Sequence, residues 1–314
     1  MKISEMCLVL TCLILLCALV AGCSMIGSPR ENSTKMKILV TVLPEAGYIQ
    51  AIGGDRVEVF VAVPPGADPH TFEPSARDMV KFSDADIYFT LGKGMLPLED
   101  NLVSRLSSMN PRMAVAETTP GIELLLGSDE HGEGTREENQ TLGAGYTGNS
   151  HEVPDPHIWV SLKNTPVIVN HIYDALTRID PANAPYYQAN RDTLLANISQ
   201  MDNEVSKVLE KTPRKKFIAS HASWGYFARD YGMTQVVIGQ PGKEATSKDI
   251  ETLIRTAREE GITIIVTEPQ YSRKAADMIS DAINGSVVMV DPLAPVMPQE
   301  LQRLAHVLSG NGPK

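Results

Sequence analysis

Beyond residue 23 the chain has no cysteine. Its four thiols, Cys7, Cys12, Cys17 and Cys23, all fall in the opening segment of a 314-residue sequence. The other 291 positions (314 − 23) therefore offer no disulfide scaffold, no cysteine-ligated zinc finger and no thiol nucleophile. Long apolar runs are also missing. The one candidate, residues 8–20, is broken by Thr11 and falls short of the ~20 residues that a transmembrane helix needs. Positive charge is scarce: 28 Lys and Arg stand against 38 Asp and Glu, a formal net charge of −10. Such a surface repels the phosphates of nucleic acid, which excludes that class of partner, and suits a soluble protein that meets cations. The length and the 43% hydrophobic content suit a globular chain of about two domains at ~150 residues each.

What the opening segment does have is the pattern of an export signal. Lys2, offset by Glu5, precedes the apolar run, which ends in Val20-Ala21-Gly22-Cys23. The run has the length of a signal-peptide core. Small residues followed by a cysteine resemble a lipobox, in which Cys23 carries the lipid and becomes the new N-terminus. Residues 1–22 are expected to leave as the signal peptide, taking three cysteines with them. Residues 23–36, largely polar and including Ser, Gly, Pro and Asn, read as a lipidated tether. Loss of Lys2 and Glu5 leaves the charge at −10 (27 − 37).

The body alternates strand-like and helix-like segments. Residues 37–43 (KILVTVL) and 56–63 (RVEVFVAV) are valine-rich strand patterns, the second closed by Pro64-Pro65-Gly66. Ser75 is placed to cap a helix running to Phe82, and further strands fit at 87–91 and 113–116 around a helix at 98–109. Residues 127–155 break the pattern: glycine-rich, acidic and poor in apolar side chains, they read as a loop containing His131 and His151. From 164 to 211 the apolar spacing is helical, interrupted at Pro181 and Pro185, and the second helix is long enough to act as a rigid connector. The strand–helix pattern resumes after Pro213, with strands at 216–220, 234–238, 263–267 and 287–290. This is an α/β chain with mostly parallel sheets in two halves. The expected divisions are an N-terminal lobe at 37–163, linker helices at 164–212 and a C-terminal lobe at 213–314.

Ligands of open α/β sheets bind beyond the carboxyl ends of the strands. His70, His221 and Asp291 each follow a predicted strand, and His157 sits where the acidic loop re-enters the fold. Three imidazoles and a carboxylate match a zinc donor set. A lone histidine is more often a surface or capping residue, and His171 and His306 on helices are read so. His131 and His151 are candidates for a weak auxiliary metal site. Asp291, before Pro292, has a turn-forming role as its plain alternative.

Five segments around these residues resemble one known family. They are PGADPHTFEP (65–74), DPHIW (155–159), SHASWGYF (220–227), TEPQYS (267–272) and VDPL (290–293). In this order they resemble the signature segments of the zinc/manganese substrate-binding lipoproteins of ABC transporters. The resemblance implies two (β/α)4-like lobes joined by a long helix, with the metal in the cleft between them. It implies His70 and His157 as ligands from the first lobe and His221 and Asp291 as ligands from the second. A histidine at the third position accompanies zinc in the family and a glutamate manganese, so Zn2+ is the expected cargo and Mn2+ the lesser alternative, in line with the softness of the donors. Glu73 and Glu268 match motif positions and are expected to support the ligands from behind. The implied partners are a membrane permease and, through it, an ATPase, with the membrane reached by the lipid anchor and the protein a monomer. The loop lacks the dense histidine tract of some members. A zinc hydrolase is the competing reading, and no His-Glu-x-x-His helix supports it. A metal-free surface or adhesion lipoprotein is another.

Overall fold

The computed structural model describes residues 35–126, 153–239 and 245–310. The signal, Cys23, the tether as far as residue 34 and most of the predicted loop, with His131 and His151, lie outside the described residues, whereas Met36, expected in the tether, opens the first strand.

Two four-stranded sheets, parallel throughout, organise the fold. The first holds β1 (Met36–Val40), β2 (Val57–Val61), β3 (Ile87–Thr90) and β4 (Ala114–Glu117) in the order β2-β1-β3-β4. The second holds β5 (Lys216–Ala219), β6 (Thr234–Val237), β7 (Ile264–Thr267) and β8 (Ser286–Met289) in the order β6-β5-β7-β8. The two halves thus repeat one topology. Each has its reversal of strand order beside its first strand, where an open sheet leaves a crevice at the carboxyl ends.

Strand composition explains the burial. Ile38, Leu39 and Val40 of β1 are wholly buried, as a parallel strand covered on both faces must be. Helices α1 (Leu43–Gly53), α2 (Ala76–Phe82) and α3 (Pro97–Met109) serve the first sheet. Ser75 caps α2 through a reciprocal box with Asp78. Helices α4 (Thr165–Ile179) and α5 (Ala184–Glu210) follow, and α5 spans 27 residues, about 40 Å. The second sheet carries α6 (Gly225–Asp230), α7 (Ser247–Glu260), α8 (Lys274–Ile283) and α9 (Met297–Leu308). Helix α7 is boxed by Thr246 and Asp249 and stops at Gly261, whose φ of 68° suits the left-handed terminator.

Helix α5 packs against α1 of one half and α9 of the other. One apolar core accordingly runs from Ile38 and Ile49 through Ile172, Ile198 and Val205 to Phe217 and Leu301. Each sheet buries its outer face in a smaller cluster. Leu39, Phe82, Tyr88 and Leu102 form the first; Ile218, Leu253, Ile265 and Ile279 form the second.

Candidate metal centre

The tripeptide Asp-Pro-His occurs twice, at 68–70 and at 155–157. Both copies fold alike. Asp68 Oδ1 accepts the backbone N–H of His70 at 2.9 Å, and Asp155 Oδ1 accepts that of His157 at 2.9 Å. An aspartate turned back on the chain two residues later is a local turn device, and the intervening proline fixes one backbone dihedral. Each copy therefore presents its imidazole from a stiff corner. His221 is placed differently. Ser220 N extends the ladder to Val266 O at 3.0 Å, so His221 leaves directly from the end of β5.

These placements bring three imidazoles together. One ring nitrogen of each of His70, His157 and His221 lies within 4.8 Å of the others. Nε2 of His70 and Nε2 of His157 are 3.5 Å apart, and Nε2 of His221 is buried without a hydrogen-bond partner. Zinc–nitrogen bonds of ~2.0–2.1 Å at a tetrahedral angle separate two nitrogens by ~3.4 Å, so the spacing fits one zinc ion. The rings meet at steep angles, with centroids 5.3–5.4 Å apart.

Asp155 also accepts from Nδ1 of His157 at 2.7 Å, which leaves Nε2 as the free donor atom. Carboxylate–histidine pairs of this kind set the tautomer and raise the basicity of a metal ligand. Asp155 is itself gripped by the second half of the molecule. Tyr226 OH donates to its carbonyl at 2.8 Å, and a Cβ on Gly225 would stand 3.0 Å from its Oδ2, so the start of α6 packs tightly on the carboxylate.

Electrostatics favour a neutral His221 ring. Burial, with smaller contributions from His157 and His70, holds the His221 imidazole down at about 2. Glu268 lines the same cavity and is 2% exposed. Burial pushes its carboxyl up to about 8 against the opposing influence of Ser223 and Trp224, with Asp291 and Asp68 adding to the rise. Glu268 Oε1, Ser223 Oγ and Trp224 Nε1 nevertheless make no well-aligned hydrogen bond.

The expected residues separate into those that converge and those that do not. His70, His157 and His221 converge. Asp291 stands outside their group: its Oδ1 accepts from Gln270 Nε2 at 3.1 Å and from Leu293 N at 3.0 Å, and its own N–H donates to Glu300. Glu268 lies in the cavity wall, whereas Glu73 is exposed. His171 Nε2 donates to Pro120 O, away from the centre. Asp155 was not among the expected supports, although the repeated tripeptide is a signal that could have found it. Tyr271, stacked on His221 at 4.9 Å and 25°, was likewise not foreseen.

Comparison with known proteins points to zinc uptake. The family model for zinc-uptake complex component A, periplasmic, matches residues 38–307. Zinc-binding protein AdcA of Streptococcus pyogenes serotype M3 is 27% identical over 272 residues, 85% of this chain and 52% of AdcA, so the chain spans about half the length of that relative. The high-affinity zinc uptake system protein ZnuA of Bacillus subtilis is 28% identical over 288 residues, 90% of this chain and 87% of ZnuA. A crystal structure of ZnuA superposes with a TM-score of 0.78 at 31% identity, covering 89% of this chain and all of that one.

Proposed function

The chain belongs to the zinc-uptake complex component A family, and on that premise we propose that it captures Zn2+ outside the cytoplasm and delivers it to the permease of an ABC importer. The observation that carries this reading is the convergence of three imidazole nitrogens within 4.8 Å. An all-nitrogen trio suits zinc better than manganese, which prefers carboxylate and water oxygen. The neutral state of His221 suits it too, since a protonated imidazole has no lone pair for a metal.

The proposed donors are His70, His157, His221 and Asp291. For Asp291 to join, its carboxylate must come within reach of the imidazoles; the bonds from Gln270 and Leu293 both fall on Oδ1. With that position filled, the shell leaves no open site for an activated water, and the role is carriage rather than catalysis. The lipidation of Cys23, the tether and the membrane-anchored, monomeric state are part of the same proposal. So is a partnership with the permease and its ATPase.

The test is equilibrium dialysis of the purified protein against Zn2+ and Mn2+, with His221→Ala as the control. Sub-micromolar zinc binding, weaker manganese binding and loss of zinc affinity by orders of magnitude in the variant are expected. No zinc binding, or an unchanged affinity in the variant, would sink the reading.

A further inference from the structure

Two further aromatic rings, Trp159 and Tyr271, line the cavity beside the three imidazoles. Tyr271 sits on the turn after β7, where its N–H donates to Glu268 O at 3.2 Å, and its half-buried side chain forms part of the cavity wall. The ring lies nearly flat on His221, with centroids 4.9 Å apart and an interplanar angle of 25°. Every other ring pair among the described residues is tilted or edge-on, from 51° to 75°. The flat contact bears on the weakest degree of freedom of a ligating histidine. Rotation of the ring about its last side-chain bond is broad and soft, so an imidazole needs a neighbour to fix its plane. Asp155 does this for His157 through a hydrogen bond. Tyr271 offers His221 a surface instead.

The residue before it bears on the other donor of the same half. Gln270 Nε2 donates to Asp291 Oδ1 at 3.1 Å. One two-residue turn therefore touches both donors assigned to the second sheet: His221 through the ring of Tyr271, Asp291 through the amide of Gln270. Both contacts arise from the end of β7, the strand next to β5, so the turn is anchored to the same rigid ladder that places His221.

We propose that the Gln270-Tyr271 turn is the positioning element of the metal centre, with the Tyr271 ring holding the His221 imidazole in its ligating plane and shielding it from water. This deepens the proposed zinc-binding function and rests on it. The contribution is made by the ring and not by the hydroxyl, which separates it from a hydrogen-bonding role.

The experiment measures zinc affinity and the rate of zinc transfer to a chelator for the full mature chain. It compares wild type, His221→Ala, Tyr271→Ala and Tyr271→Phe, and follows the thermal transition of each metal-free protein. Supporting contacts behind a metal ligand are typically worth 10–100-fold in affinity, so Tyr271→Ala is expected to weaken zinc binding by about that factor and Tyr271→Phe to stay within about 3-fold of wild type. Transfer to the chelator quickens in the alanine variant, while the metal-free transition stays in place. If Tyr271→Ala does not fold, Tyr271→Leu, which fills space without a planar ring, takes its part with the same expectation. An alanine or leucine variant that binds and releases zinc like wild type overturns the proposal. So does a phenylalanine variant that loses as much as the alanine one. Failure of wild type to bind zinc, or full binding by His221→Ala, overturns the reading of the centre itself and this proposal with it.

Discussion

Trp159 Nε1 donates to the carbonyl of Pro292 at 2.7 Å. The bond joins a segment that begins with one candidate ligand to a segment that begins with another: Trp159 stands two residues past His157, and Pro292 directly follows Asp291. The indole is 1% exposed and also packs edge-on against the His157 ring at 5.4 Å. Two halves of the cavity are thus pinned to each other by a buried bond beside the metal centre. Trp159→Phe keeps most of the apolar bulk and removes the donor, leaving the Pro292 carbonyl unpaired. The expected cost is about 1–3 kcal/mol of stability, read as a lower thermal midpoint, together with weaker zinc binding. A variant with an unchanged midpoint and unchanged affinity would mean that the halves are held together elsewhere.

A second contact between the halves depends on a missing side chain. Gly47 lies on α1 of the first half, and a Cβ built there would stand 2.3 Å from the backbone oxygen of Pro295, in the second half just past Asp291. Backbone cannot swing aside as a flexible side chain does. Gly47→Ala should therefore push the 291–296 segment away and destabilise the protein by about 1–3 kcal/mol, the usual scale of overpacking, despite the better helix propensity of alanine. A thermal midpoint at or above wild type would show that the segment yields freely.

Much of this architecture is visible in the sequence because it is local. The valine-rich pattern at 37–43 overlaps β1, which starts at Met36 and stops at Val40, the pattern at 56–63 contains β2, and Ser75 caps the helix predicted to follow it. The three histidines can be read at strand ends and at the re-entry of the loop. Their convergence cannot be read there, because it depends on how sheets far apart in the chain face each other across α4 and α5. Asp291 illustrates the limit: the sequence places it correctly after β8, yet only the fold reveals that Gln270 and Leu293 engage its carboxylate. Asp155 was legible in principle, since Asp-Pro-His recurs. Glu45 and Glu99 were not. A glutamate on the buried face of a helix looks like any other in a sequence, and the pair is 0% and 1% exposed.

Those two buried carboxyls set a pH dependence of stability remote from the metal. Glu45 accepts from the Thr118 hydroxyl at 2.7 Å through Oε1, while its Oε2 is unpartnered. Burial pushes its carboxyl up to about 7, the Thr118 bond opposing, and burial likewise pushes Glu99 up to about 8. The folded state thus holds these protons more tightly than the unfolded chain, where glutamate titrates near 4.5. The stabilisation is complete below about pH 4.5, declines as the pH rises, and for Glu45 is gone above about 7. Glu45→Gln keeps an acceptor for Thr118 and removes the charge. Its unfolding free energy should vary less than that of wild type between pH 4.5 and 7, and exceed it at pH 8 by on the order of 1–3 kcal/mol. Parallel curves for the two proteins would refute the assignment.

His221 enters zinc binding with no proton to lose. A histidine with its ordinary value near 6.5 is protonated at pH 5 and must release that proton before it can ligate, which is why zinc binding to histidine sites weakens in acid. His221 is exempt. Burial first, and the neighbouring His157 and His70 second, hold its value at about 2, so the metal-free site already presents it neutral throughout the mildly acid range. The sign is that of a depressed base: keeping this ring neutral costs folding stability as the pH falls below 6.5, and in return no proton stands between His221 and the metal. Any loss of zinc affinity below about pH 6 must then originate outside His221. Calorimetry at about pH 5 in buffers of different ionisation enthalpy counts the protons released per zinc bound. Wild type and His221→Ala should release the same number, although the variant binds far more weakly. A count lower by about one proton in the variant would mean that His221 is charged in the empty site, and that the buried ring pays for its ligation at the moment of binding.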